Sequence, residues 1–265
     1  MLQFYKYQGT GNDFILADNR KGEFNHLTTE IIHALCDRHF GIGADGLMLL
    51  QQKEGFDFEM KYFNADGREG SMCGNGGRCI TLFAYHCGIL KDNYHFIASD
   101  GPHDANIRAD GTIALRMKDV NGIKRFKEDL IIDTGSPHLI RFVNNLNQEE
   151  VVSQGRSIRF SKEFAAEGIN VNFVVQGEDK ENIRVRTYER GVEDETLSCG
   201  TGVTAAALVC YHNENGFNNV EVVTKGGQLQ VEYDRVGENQ FQNIWLCGPA
   251  QKVFSVTIDL QNLPL

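Results

Sequence analysis

The sequence predicts an α+β fold: two structurally similar strand-rich halves, each with a long central helix, closing over a cleft. An internal repeat is the first observation behind this. Tyr62–Cys79 reads YFNADGREGSMCGNGGRC and Tyr188–Ala205 reads YERGVEDETLSCGTGVTA. In both, a Tyr stands eleven residues before a Cys (Cys73 or Cys199), a Glu stands four before it, and Cys-Gly-[Asn/Thr]-Gly follows. The second observation is the period-two alternation of half-buried strands, as in Phe56, Phe58, Met60, Tyr62 and again in Ile113, Leu115, Met117. The third is that an apolar, helix-forming segment follows each Cys loop, Ile80–Leu90 and Ala206–Tyr211.

Taken in order, strands are predicted over residues 3–8 and 14–18 around the turn Gly9-Thr-Gly-Asn-Asp13. Thr28 and Thr29 are N-cap candidates for a helix with Ile31, Ile32, Leu35 and Cys36 on one stripe. Gly41–Gly46 reads as a loop, residues 47–50 as a short buried strand and 56–62 as a half-buried one. After the helix ending near Leu90 come strands at 94–98, 105–108 and 112–117. The second half repeats the recipe. Strands are predicted at 130–133 and 138–143 about the turn Gly135-Ser-Pro-His138, followed by a polar stretch at 144–153 and a short helix at 161–166. Strands at 171–175 and 183–188, a helix at 202–211, and strands at 220–224, 229–233, 242–246 and 253–258 complete it. The division is placed near residues 120–127. It gives a half of 1–122 carrying Cys73 and a half of 123–265 carrying Cys199, with the last strand free to return to the first half.

Composition narrows the classes. A chain of 265 residues with 41% hydrophobic and 10% aromatic side chains can bury a sizeable core. A net charge of −10 argues against nucleic acid as a partner. No apolar run approaches the roughly 20 residues that cross a bilayer, and the N-terminus lacks a signal-peptide core, so no membrane partner and a cytoplasmic location are expected. Seven cysteines, an odd number with no CxxC pair, fit a reducing compartment. A homodimer is kept among the expectations for assembly.

A thiol at a helix start is acidified by the positive helix end, and the free N–H groups there receive carboxylates. A Cys beside Gly can also be a small packed residue. The repetition favours a functional pair at Cys73 and Cys199, while Cys36, Cys79, Cys87, Cys210 and Cys247 sit in apolar, periodic settings and read as core. The spacing Cys73, Cys79, Cys87 with His86 lacks the tight pairs zinc favours, so no metal is expected. No Walker motif and no dinucleotide fingerprint appears, so no cofactor is expected either. Two opposed thiols suit either a redox pair or an acid/base pair with a substrate carbon between them. An anion-binding module would explain the glycine loops but not the matched cysteines. Asn12, Asn64, Asn75, Asn170 and Thr201 punctuate the same loops, as turn formers or as ligands. Glu189-Arg190 is either a solvated pair or a clamp on a carboxylate. His138 is placed either to hydrogen-bond a thiolate or to cap its strand.

At these residues the chain resembles the diaminopimelate epimerases. The matching signatures span most of it: Gly9-Thr-Gly-Asn-Asp-Phe14, Gly41-Ile-Gly-Ala-Asp-Gly-Leu47, Phe63-Asn-Ala-Asp-Gly67, Met72-Cys-Gly-Asn-Gly-Gly-Arg-Cys79, Gly135-Ser-Pro-His138, Ile169-Asn-Val-Asn-Phe173, Tyr188-Glu-Arg-Gly191 and Ser198-Cys-Gly-Thr-Gly202. The resemblance implies cofactor-independent interconversion of LL- and meso-2,6-diaminopimelate, in lysine and peptidoglycan precursor biosynthesis. It implies Cys73 and Cys199 as the thiolate/thiol pair. Asn12, Asn64, Asn170, Glu189 and Arg190 would hold the distal end of the substrate. Backbone groups of Gly74, Asn75, Gly200 and Thr201 would hold the reacting α-carboxylate, and His138 and Glu189 would tune the thiols. Two positions depart from the family pattern: Gly46 where Gln is frequent, and Ser136 where Asn is. A racemase of proline or hydroxyproline on the same fold is the neighbouring alternative.

Overall fold

A computed structural model describes residues 1–177, 182–210 and 215–263, with the side chains of Cys210 and Asn262 outside the description. The chain forms two compact units, Met1–Leu115 with Pro249–Leu265, and Arg116–Gly248. The changeover between the units falls at Leu115–Arg116, and the last strand belongs to the first unit.

In the first unit, β1 (Leu2–Gly9) and β2 (Asn12–Asp18) form a hairpin, and α1 (Thr29–Cys36) carries the chain to β3 (Gly46–Gln51), which lies parallel to β2. β3 and β4 (Phe58–Asn64) are antiparallel. Then α2 (Gly74–His86) crosses to β5 (Asn93–Ala98), parallel to β4 and antiparallel to β6 (Gly101–Ile107), which pairs with β7 (Ile113–Arg116). The second unit begins with the short β8 (Val120–Asn121) and β9 (Lys124–Phe126). It then runs the same course. The hairpin β10 (Asp129–Asp133) and β11 (Pro137–Phe142) is followed by α3 (Val151–Arg159) and then β12 (Asn170–Gln176), parallel to β11. β13 (Asn182–Glu189) is antiparallel to β12 and to β14 (Asp194–Thr196). Next, α4 (Gly200–Cys210) crosses to β15 (Gly216–Thr224), parallel to β13. β16 (Gly227–Gly237) and β17 (Gln240–Gly248) close this unit, and β18 (Gln251–Ile258) pairs antiparallel with β1. Parallel neighbours need a crossover, and in each unit two helices supply it.

Each unit has two kinds of helix. The first crossover helix is amphipathic and closes one face of its sheet. Ile32 and Leu35 of α1 pack with Phe4, Ile15, Phe24, Leu47 and Leu49, and Val151 of α3 packs with Leu139, Val171, Phe173 and Tyr188. The second crossover helix is buried nearly all round: Cys79, Ile80, Phe83 and Ala84 in α2, and Val203 and Ala205 through Val209 in α4, are at most 1% exposed. A helix apolar on every side belongs inside a core, so the residue that begins it is carried inward too.

Three expectations change. The helix after Cys73 starts at Gly74, not Ile80, and stops at His86 rather than Leu90. Glycine stands in the middle of this helix because there is no room for a side chain: a Cβ on Gly76 would lie 2.3 Å from Met48 Cε, and one on Gly77 3.0 Å from Leu115 Cδ2. The second long helix likewise starts at Gly200, and Tyr211, its expected end, lies outside the described residues. The helix expected at 161–166 is a run of turns, and a true helix, α3, occupies 151–159, part of which reads as a polar loop.

Candidate active site

The first group of expected residues gathers at the start of α2. Cys73 is its N-cap residue, with extended backbone (φ −107°, ψ 133°), and its carbonyl accepts the first helical bond from Gly77 N at 2.7 Å. The N–H groups just after such a residue have no partner within the helix; here they belong to Gly74 and Asn75, both buried. Cys73 Sγ donates to Asn12 Oδ1 at 3.5 Å, and Asn75 Nδ2 donates to the same oxygen at 3.4 Å. Asn12 is held that way round because its amide Nδ2 donates to the Asp45 carboxylate, which can only accept. Asp45 also accepts from Asp13 N at 3.1 Å and from Arg38 Nη2 at 2.7 Å. Arg38 and Lys6 both reach Asp13. Burial alone would raise the Asp13 pKa, but the hydrogen bonds and charges of Arg38 and Lys6 outweigh it and hold the carboxyl at about 2. Asn64 ends β4, with its Nδ2 beside Gly70 in the loop that leads to Cys73.

Arg78 underlies this group. It is 0% exposed and donates to Asn75 Oδ1 at 2.9 Å, to Thr10 Oγ1 at 3.2 Å, to Gly74 O at 3.3 Å and to Pro249 O at 3.5 Å. A buried guanidinium is tolerated only when so satisfied, and the satisfaction fixes Asn75 and the first turn of α2. The thiol of Cys79 is pushed up to about 12, by burial first, as befits a packed residue. Cys36 is pushed up to about 12 and Cys87 to about 11, again by burial.

The second group gathers at the start of α4. Cys199 stands where Cys73 does: its carbonyl accepts from Val203 N at 2.8 Å, and Gly200 opens the helix. Its Sγ lies 3.5 Å from Thr201 Oγ1, and His138 Nε2 lies 2.9 Å from the same hydroxyl. The imidazole therefore reaches this sulfur through Thr201. His138 is wholly buried, and that burial, with the charge of Arg190 second, holds its pKa at about 3. On its other side Nδ1 faces Asn172 Nδ2 at 3.1 Å. Thr134 Oγ1 donates to Thr201 O at 2.8 Å and ties the β10–β11 turn to the helix start.

Beside this lies a polar set at the end of the sheet. Asn170 Nδ2 donates to Ser136 Oγ at 2.9 Å and to Pro137 O at 3.1 Å, and its Oδ1 accepts from Arg190 N at 2.9 Å. The Arg190 guanidinium donates to Ser136 Oγ at 3.2 Å and to Glu167 O at 2.8 Å. Glu189 is the last residue of β13. Similar places in the two units thus carry polar groups: the first hairpin has Asn12 just past its turn or Ser136 within it, and the second crossover helix follows Cys73 or Cys199.

Asp45, Thr134, Asn172 and Thr187 do not emerge from the sequence as site residues. Asn172 had a signal: Asn170 and Asn172 are two apart on one strand and so face the same way, on a strand whose first five residues are buried. A buried asparagine needs partners, and here they are His138, Leu139 and Thr187. Among the described residues no group of three or more His, Cys, Asp or Glu could hold a metal.

The sequence profile of the family described as diaminopimelate epimerase matches residues 4–122 and 130–253. A diaminopimelate epimerase of Flavobacterium psychrophilum is 47% identical over 259 residues, covering 97% of this chain and all of its own length. One from Chlorobaculum tepidum is 44% identical over 265 residues, covering 95% and 99%. Among solved structures, a phenazine biosynthesis protein of the PhzF family from Bacillus anthracis superposes with a TM-score of 0.75 at 17% identity, covering 97% of this chain and 99% of its own. A hydroxyproline epimerase from Agrobacterium vitis reaches 0.66 at 14% identity, covering 97% and 90%. At those identities the two structures speak for the fold, an α+β architecture of two similar strand-rich halves. The sequence relatives go further, and on near-complete coverage at over 40% identity this chain belongs to the diaminopimelate epimerase family.

Proposed function

We propose that this chain interconverts LL- and meso-2,6-diaminopimelate without a cofactor, Cys199 and Cys73 acting from opposite faces of one α-carbon. In one direction the Cys199 thiolate takes the α-proton and the Cys73 thiol delivers its own; in the reverse direction the roles exchange, so the stereocentre inverts each time. The α-carboxylate rests on the backbone N–H groups of Gly74, Asn75, Gly200 and Thr201, where two helix ends also stabilise the carbanion-like transition state. Asn12, Asn64, Asn170, Glu189 and Arg190 hold the distal ammonium and carboxylate, the part proline lacks. His138 and Glu189 tune the thiols. Exclusion of water around the bound substrate supplies the dry surroundings such a carbanion needs.

The observation that supports this most is positional equivalence: each sulfur sits on the residue before the second crossover helix of its unit, with its own carbonyl taking the first helical bond. Two unrelated packed cysteines have no reason to share that place. Cys73→Ser and Cys199→Ser should each lower epimerisation by about a hundredfold or more, read as deuterium incorporation at the α-carbon. Full activity in the double serine variant ends the proposal. A panel of LL-diaminopimelate, L-proline and trans-4-hydroxy-L-proline tests the distal contacts, with turnover expected for the first alone.

Place and assembly are part of the same proposal. The cytoplasm is a reducing compartment that keeps both thiols reduced. No helix among the described residues is long and apolar enough to cross a membrane. A homodimer is supported by Val253 and Phe254 on β18, which are 55% and 43% exposed. Sedimentation should give a two-chain mass that Val253→Glu with Phe254→Glu reduces to one.

A further inference from the structure

The reaction needs one sulfur charged and the other protonated before substrate arrives, and the hydrogen bonds around Cys199 assign which. The chain of contacts begins at an atom whose role admits no choice. Leu139 O is a backbone carbonyl and can only accept, and an Asn172 side-chain atom lies 3.2 Å from it, so that atom is the amide nitrogen. Thr187 Oγ1, 2.9 Å from the other end of the amide, then donates to Asn172 Oδ1. With its nitrogen so placed, Asn172 also donates to His138 Nδ1 at 3.1 Å. Nδ1 is therefore an acceptor, and the proton of the neutral ring sits on Nε2. Nε2–H donates to Thr201 Oγ1 at 2.9 Å, which leaves the Thr201 hydroxyl its own proton to give to the sulfur 3.5 Å away.

We propose that Asn172, oriented by Thr187, is a positioning residue that fixes His138 as its Nε2–H tautomer and thereby turns the Thr201 hydroxyl toward Cys199 Sγ, making Cys199 the sulfur that is ionised at rest. This rests on the two-thiol reading above and deepens it. The opposite arrangement at the other sulfur agrees with it: Cys73 Sγ donates to Asn12 Oδ1, a contact that only a protonated thiol makes. The side chain of Asn172 is fully buried, and Gly202 has no side chain because a Cβ there would lie 2.4 Å from Asn172 Oδ1. The helix start has thus been shaped around this amide. The titratable and charged groups that bear on Cys199 through these contacts are His138, from β11, and Arg190 behind it, whose charge acts on the ring and whose guanidinium is held by Ser136 and Glu167. Burial keeps the ring neutral, so the device is a fixed dipole chain and not a titrating base.

The test uses the full-length Cys73→Ala protein, in which alkylation of Cys199 by iodoacetamide, located by peptide mass spectrometry, is followed against pH. Asn172→Leu keeps the volume and removes the amide; the alkylation midpoint of Cys199 should rise by about one pH unit, the effect of losing one hydrogen bond to the charged form. Thr201→Val should raise it by as much, Thr201→Ser should not, and Asn172→Leu combined with Thr201→Val should go no higher than Thr201→Val alone. An unchanged midpoint in a folded Asn172→Leu, or additive shifts, overturns the proposal. Should Asn172→Leu not fold, Thr187→Val frees the same amide and carries the same expectation. Independently, long-range nitrogen–proton correlation spectra of the unaltered protein should find the His138 proton on Nε2, and finding it on Nδ1 is equally fatal. Undiminished epimerisation by Cys73→Ala would instead sink the two-thiol reading, while the tautomer spectrum would stand or fall by itself.

Discussion

Gly46 and Ser136, the two positions where the chain departs from the family's frequent residues, are each accounted for by a neighbour. A Cβ on Gly46 would lie 2.4 Å from Phe63 O and 2.5 Å from the Tyr62 ring, so Tyr62 occupies the space a longer side chain would use. Ser136 is short, yet its hydroxyl joins Asn170 to Arg190. His138 carries a pH dependence at this scale. Unfolded, its imidazole takes up a proton near pH 6.5; folded, it does so only near pH 3. The unfolded chain binds the extra proton in between, so the contribution of His138 to stability is full above about pH 6.5 and is lost as pH falls toward 3. Asp13, depressed from 3.8 to about 2, contributes stability lost only as pH falls from 3.8 toward 2, so between pH 7 and pH 5 it leaves the His138 effect undisturbed. Urea midpoints should fall between pH 7 and pH 5, and His138→Gln should flatten that fall. Site residues in repeated motifs, Cys73 and Cys199 above all, stand out in the sequence because glycine spacing marks them. Asn172 and Asp45 do not, since their partners are 34 and 33 residues away and only folding brings them together.

Elements were legible where periodicity was strong and hidden where a contact overrode it. The strands at 183–188 and 229–233 alternate cleanly and form as β13 and β16. By contrast α3 contains Gly155 and few apolar residues, which reads as loop. Gly155 is there because a Cβ would lie 2.4 Å from Tyr188 Cβ, and the helix packs flush on β13 through that gap. Helix propensity alone says Gly→Ala gains about 1 kcal/mol, while overpacking a core contact costs about 1–3 kcal/mol. The clash wins here: Gly155→Ala should lower the urea-unfolding free energy, by up to about 2 kcal/mol net of the propensity gain. The same logic bears on α2, which starts six residues before Ile80: Gly76 and Gly77 are helical residues made small by their neighbours, not a turn before a helix.

On the scale of the whole molecule, the repeat seen in eighteen-residue stretches extends to the full course of each unit: hairpin, amphipathic crossover helix, antiparallel pair, buried crossover helix, antiparallel pair. Only the Cys loops keep enough sequence likeness to betray it, because core positions accept any apolar residue of similar volume whereas a helix start that approaches a ligand does not. That duplication makes two-base chemistry a natural outcome, since each copy brings one thiol and one set of helix N–H groups. The most direct measurement is the fate of the α-hydrogen when LL-diaminopimelate is converted in heavy water and stopped early. The expected result is meso product carrying one solvent deuterium at the inverted carbon, with the remaining LL substrate unlabelled, because the proton taken by one sulfur is not the one given by the other. Product that retains the substrate's own hydrogen would contradict the two-thiol mechanism.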